Sequence, residues 1–210
     1  MPLEISHRLA RRLRVTLRPT DQIAAGYDFE KTRVFEGNVA LRIGAFREHS
    51  TTAAVVGDTL EQTERLVGTP FDAVIGWGFL RKYYTLIDYR LQRFQFGARP
   101  FTGRGYRIAM RFRDEHDAPL IDGSVDGKPT TLLLDTGAPH CTLDTVTFAL
   151  PPRALVERTL TIGDSTQRLQ VFARDMSVNR PLGVDGIVGT NLLERYAVAI
   201  DPHDGLVELF

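Results

Sequence analysis

The chain carries one stretch of sequence twice, and this repetition constrains its architecture more than any other feature. Residues 71–89 read FDAVIGWGFLRKYYTLIDY and residues 184–202 read VDGIVGTNLLERYAVAIDP. Aligned without a gap, Asp72 falls on Asp185, Val74 on Ile187, Ile75 on Val188 and Gly76 on Gly189. Leu80 then falls on Leu193, Tyr83 on Tyr196, Ile87 on Ile200 and Asp88 on Asp201. Upstream, Leu41-Arg42-Ile43-Gly44 matches Leu160-Thr161-Ile162-Gly163, each an alternating strand pattern ending in a turn glycine. The β-branched pairs Val74-Ile75 and Ile187-Val188 suit a buried strand, and the glycine after each permits close backbone approach. Each copy therefore predicts an apolar strand, a glycine turn, a short helix around a leucine and a second strand, over 83–89 and 196–200. Alternation predicts closing strands at 90–96 and 205–210.

Between the copies, residues 97–105 (GARPFTGRG) are rich in Gly, Pro and Arg and read as a linker. The expected division is a first lobe over 1–97, a linker over 98–105 and a second lobe over 106–210. In the second lobe, strands are predicted at 107–112, 119–125 and 131–134, with turns at 114–118 and 126–129. Asp126-Gly127 is a hairpin signal. At the start, Leu3, Ile5, Leu9 and Leu13 fall on roughly helical spacing among His7 and four arginines, which predicts a basic helix with an apolar stripe laid on the domain, the alternative being a transit or membrane-surface segment.

Of 210 residues, 43% are apolar and 25% charged, enough for a globular core. Lys and Arg number 26, as do Asp and Glu, so net charge supplies no reason to expect nucleic acid as a partner. Apolar runs are far too short for a transmembrane segment, and the start lacks the apolar core and cleavage site of a secretory signal. These features leave the compartment unassigned. A single cysteine, Cys141, excludes an intrachain disulfide. His7, His49, His116 and His203 show no ligand spacing with one another or with Cys141, so no metal site is expected. No phosphate-cradling glycine loop is present, and no cofactor is expected. The neighbours His140 and Cys141 lack an orienting third group, which argues against a Cys-His nucleophilic pair.

The apolar run Leu132-Leu133-Leu134 leads directly into Asp135-Thr136-Gly137-Ala138. A buried strand delivers the carboxylate to a fixed place, where desolvation raises its pKa and amide hydrogen bonds lower it. Read alone, the four residues also fit an Asp-Thr turn that caps its own backbone. With Gly186-Ile187-Val188-Gly189 and Leu192-Leu193 some fifty residues on, the sequence resembles the retropepsin-like aspartic peptidases. The resemblance covers 104–210 as one nearly complete unit and implies an all-β acid-protease fold in two related lobes.

It further implies that Asp135 is one half of a catalytic aspartate pair acting on peptide or protein substrates. Thr136 would brace the active-site loop, and Gly137 would supply its backbone amide. Ala138, with Gly26 and Tyr27 at the tip of a flap over 22–28, would contact substrate. The segment Ile5-Ser6-His7-Arg8-Leu9-Ala10-Arg11-Arg12-Leu13 resembles the stretch just after the aspartate loop in that family, with Leu143 in the part of Ile5. The first lobe thus reads as lacking its Asp-Thr-Gly portion. A second aspartate could come from sequence ahead of Met1 or from a second chain in a homodimer. Otherwise the first lobe is a degenerate half. The alternatives to an aspartic endopeptidase are a non-catalytic peptide-binding or dimerisation module, and a purely structural duplicated β-domain.

Overall fold

A computed structural model describes residues 3–25, 31–57, 59–112, 118–177, 179 and 182–210. Contacts divide the chain into two compact units, Met1–Leu80 and Arg81–Phe210.

The first unit contains β1 (Leu3–Ile5), α1 (His7–Arg12), β2 (Arg18–Ala25), β3 (Lys31–Ile43), β4 (Phe46–Val56), α2 (Thr59–Val67), β5 (Ala73–Ile75) and α3 (Trp77–Leu80). Its strands form one sheet in the order β2-β3-β4-β1-β5. Leu3, Ile5, Ala10, Ala53 and Val55 make the core, with Leu9, Val15, Leu17 and Phe35 against it. The start of the chain departs from the helix expected there. Leu3 and Ile5 alternate in a strand parallel to β4 and antiparallel to β5, and only His7–Arg12 is helical. Ser6 makes the break. It holds an extended backbone, and its hydroxyl accepts the Leu9 N–H at 3.0 Å, capping α1. Two apolar residues separated by one polar residue satisfy a strand as well as a helix, and the sheet decides between them.

The second unit begins with β6 (Tyr84–Asp88) and β7 (Arg93–Gly97), followed by β8 (Tyr106–Arg111), β9 (Leu120–Val125), β10 (Lys128–Leu134) and β11 (Thr142–Asp144). It continues with β12 (Leu155–Ile162), β13 (Ser165–Arg174), β14 (Gly186–Val188), α4 (Thr190–Leu193), β15 (Ala197–Asp201) and β16 (Leu206–Leu209). Strands β9, β10, β14, β11, β13 and β12 pair in that order, and β12 returns to β9, so the six close a barrel. Closure removes the sheet edges and leaves Leu132, Leu143, Leu160, Ile162 and Val188 at 2% exposure or less. Asp126 and Gly127 both take positive φ, as a tight hairpin between β9 and β10 demands. Asp122 lies within β9, ion-paired with Arg111 on the strand alongside.

The linker expected at 98–105 lies inside the second unit, because β6 and β7 join the sheet of β15 and β16. In that sheet Leu86 pairs with Ala199, Thr85 with Ile200 and Ile87 with Val198. Leu86 and Ala199 are aligned positions of the repeated stretch, so the two aligned strands meet about a local twofold axis. Their outer neighbours keep the same register. Ile87 lies opposite Phe94 as Ile200 lies opposite Val207, and Asp88 opposite Arg93 as Asp201 opposite Leu206.

The correspondence extends to hydrogen bonds. Phe79 and Leu80 donate to the Gly76 carbonyl, as Leu192 and Leu193 donate to that of Gly189. Ser6 N–H donates to the Asp72 carbonyl at 2.9 Å, as Asp144 N–H does to that of Asp185 at 2.9 Å.

Candidate active site

Strand β10 is apolar on both faces because both are covered. Leu132 and Leu134 point into the barrel at 0% and 6% exposure, while Leu133 packs outside it with Ile187 against Leu120, Met176 and Val184. The strand runs antiparallel to β9 and parallel to β14. Its ladder ends where the Asp135 N–H donates to the Val188 carbonyl at 3.1 Å. A residue held on both sides by strands is a rigid mount for a side chain.

Asp135 is half-buried. Its Oδ1 accepts the Gly137 N–H at 2.9 Å, and Ala138 N–H folds back to the Asp135 carbonyl at 3.2 Å. A Cβ on residue 137 would stand 3.3 Å from that same Oδ1, so glycine keeps the amide free to approach.

Beneath the loop passes the turn after β14. A Cβ on residue 189 would meet the His140 carbonyl at 2.5 Å and the Ala138 carbonyl oxygen at 2.8 Å, so this crossing requires glycine. Thr190 N–H donates to the Ala138 carbonyl at 2.8 Å, and the Thr190 hydroxyl lies 3.1 Å from both the Ala138 and Pro139 carbonyl oxygens. Asn191 accepts the Cys141 N–H through Oδ1 at 2.7 Å, and its Nδ2 donates to the Gln170 carbonyl at 2.7 Å. Behind the loop, buried Asp144 accepts the Met176 N–H through Oδ1 and the Thr147 N–H and hydroxyl through Oδ2. The aspartate loop is therefore clamped from below and behind.

Cys141 is buried, and its sulfur accepts the Gly189 N–H at 3.4 Å. Burial pushes the thiol up to about 11, so it stays protonated and packs as a small hydrophobe, while His140 is exposed. Among the described residues no group of three or more His, Cys, Asp or Glu side chains could hold a metal ion. No helix among them is long and apolar enough to cross a membrane.

Asp135, Thr136, Gly137 and Ala138 share one loop. Gly26 and Tyr27, the expected flap tip, lie outside the described residues, as does most of the turn expected at 114–118. Sequence reasoning overlooked Thr190 and Asn191, because the aligned residues of the first copy are Trp77 and Gly78 and the repeat gives no signal there. It also overlooked Tyr89, whose buried hydroxyl has no hydrogen-bond partner among the described residues. Burial first, then the charges of Asp135 and Glu194, push that hydroxyl up to about 12. Tyr89 thus stays a hydrogen-bond donor at any working pH, within reach of the Asp135 field.

No protein-family model and no curated protein matches the chain. Solved structures do. An aspartic proteinase from Irpex lacteus aligns over 92% of this chain and 82% of its own, with 13% identity and a TM-score of 0.52. A retropepsin-like aspartic protease from Rickettsia conorii aligns over 52% of this chain and 95% of its own, with 17% identity and a TM-score of 0.36. The protein has the all-β aspartic-protease fold.

Proposed function

We propose that the protein is an aspartic endopeptidase in which Asp135 supplies one carboxylate of the catalytic pair. The observation that carries this reading is the mount of Asp135: a carboxylate at the end of a doubly paired barrel strand, one oxygen held by the Gly137 amide. The other oxygen, Oδ2, takes no part in that bond.

Two facing carboxylates share one proton because two close like charges resist ionising together. The ionised member takes a proton from a bound water as its oxygen attacks the peptide carbonyl. The protonated member polarises the carbonyl oxygen, and the leaving amine departs with a proton delivered from the pair. In this scheme Gly137 orients the Asp135 carboxylate through its amide, Thr136 braces the loop and Ala138 borders the substrate. Gly26 and Tyr27 would close over it. Thr190 and Asn191 act on the reaction only through the loop they hold.

A lone carboxylate cannot share a proton with itself, so the activity requires a second acid from additional sequence or from a second copy of the chain. The matched registers of β5-α3-β6-β7 and β14-α4-β15-β16 support two copies of one ancestral unit. On that reading the lobes run 1–97 and 106–210, joined by 98–105.

The test is hydrolysis of an unstructured protein substrate across pH 3–7. Asp135→Asn leaves the circular dichroism spectrum intact and lowers the rate by at least the roughly 10²–10⁴-fold of a lost general acid–base group. Pepstatin inhibits the unaltered protein. Tight binding of peptides without turnover, unchanged in Asp135→Asn, would establish the peptide-binding module instead.

A further inference from the structure

Strand β1 turns its residues to two faces of the first sheet. Leu3 and Ile5 join Ala53 and Val55 in the core. Glu4 points the other way, beside Ala54 of β4 and Val74 of β5, on the face where Ala54 clusters with Val34 and Val56. A carboxylate among apolar side chains is costly unless something offsets its charge. Glu4 Oε1 is sealed from solvent without a hydrogen-bond partner among the described residues, and so is Glu61 Oε2 on α2. Two elements thus each bring an unsatisfied carboxyl oxygen to the interior of one unit.

The surrounding charges do not relieve them. The residues opposite Glu4 on β4 and β5, Ala54 and Val74, do not titrate. From α2 the charge that acts on Glu4 is Glu61. Elsewhere on that helix, Glu64 pairs with Arg8 of α1 at 3.3 Å and Arg65 is exposed. Arg8 is further engaged by Asp72 at 2.8 Å.

Helix α2 is also built to move. It spans nine residues, too few to persist without packing, and its Leu60 is buried at 4% exposure. Gly57 and Gly68 flank it with φ of +49° and +69°, and at Gly68 no atom lies within 4 Å of where a Cβ would stand. Glycines at helix ends absorb backbone rotation readily.

We propose that Glu4 and Glu61 form an acid-operated latch: α2 lies closed over Glu4 while that carboxyl is protonated, and lifts on Gly57 and Gly68 when it ionises against Glu61. A neutral carboxyl tolerates the sealed space, whereas two carboxylates there repel and lack donors. Burial first, then the charge of Glu61, raises Glu4 from 4.5 to about 7 in the closed form. Lifting α2 returns Glu4 to water and releases its proton. The opening constant therefore rises about tenfold per pH unit between 4.5 and about 7, and levels above that. The latch belongs to the first unit and is independent of the peptidase reading.

Amide exchange in the whole chain from about pH 5 to 8, corrected for base catalysis of the intrinsic rate, tests this. Protection within α2 should fall about tenfold per unit up to about pH 7 and then level, while that of β12 and β13 holds constant. Glu4→Gln should make α2 protection independent of pH. Glu61→Lys should reverse the trend, because an ammonium group near Glu4 favours its ionised form, so α2 becomes better protected as pH rises. A merely structural role for either residue would shift protection equally at every pH. Flat protection of α2 in the unaltered chain would overturn the proposal, as would an unreversed fall in Glu61→Lys. Protection of α2 no lower than that of β3 and β4 at any pH would mean that the whole unit opens together, and the latch would fail on that result too.

Discussion

Residue 141 shows how burial overrides chemical identity. A cysteine beside a histidine suggests a nucleophile, yet the thiol is buried, accepts the Gly189 amide and is pushed up to about 11. Thiol reagents should therefore modify the native protein at pH 8 far more slowly than the protein in denaturant, as a chromogenic thiol assay reads directly. Rapid native modification would contradict the buried placement. Glycine 186 has a comparably strict environment. A Cβ there would lie 2.6 Å from the Thr142 carbonyl oxygen and 2.9 Å from Leu132 Cδ2. Because the nearest atom is backbone in the same sheet, Gly186→Ala should cost at least about 1–3 kcal/mol, visible as a lower urea midpoint. The motif Asp135-Thr136-Gly137 was legible in the sequence because an apolar run followed by Asp, Thr and Gly is a local pattern. The roles of Thr190 and Asn191 were not, because each acts on residues some fifty positions away.

The elements of each unit are held by interactions short enough to assign one by one. Helix α1 depends on Ser6, which is 2% exposed, caps Leu9 and donates its hydroxyl to Asp72 Oδ1 at 3.1 Å. Ser6→Ala should destabilise the first unit by about 1 kcal/mol, measured by denaturant titration. Around it Arg8 and Arg12 pair with Asp72 at 2.8 and 3.1 Å. These partly exposed pairs orient the helix more than they stabilise it. The corresponding position in the second unit is Asp144, which caps Thr147 in the same way. Serine and aspartate are both strong caps, so the device persists although the residue differs. The elements predicted from alternation recur with ends moved by one to three residues. The strand expected at 90–96 begins at Arg93 because residues 89–92 form the turn, with Gln92 at positive φ.

For the whole molecule, the acid–base balance of the first unit sets a direction with pH. Glu4 sits in β1, half-buried. Burial first and the nearby Glu61 second raise its carboxyl to about 7. The folded state thus prefers the protonated form, while the unfolded chain ionises near 4.5. Stability should be full below that value and fall as pH rises towards 7, by an amount on the order of 3 kcal/mol. Glu4→Gln should flatten that slope in thermal melts recorded between pH 4 and 8. An unchanged slope would refute the assignment.

Read by itself, the sequence determined the all-β class and the position of Asp135 at a strand end. Side-chain alternation, capping residues and glycine turns are properties of neighbours along the chain. The tertiary structure decided that Leu3–Ile5 is a strand, that β6 and β7 complete the sheet of β15 and β16, that Cys141 is silent and that β5 is the last strand of its sheet among the described residues. Each of these depends on hydrogen bonds or burial between residues far apart in sequence, where the local pattern is the same for several partners and only the assembled sheet selects one.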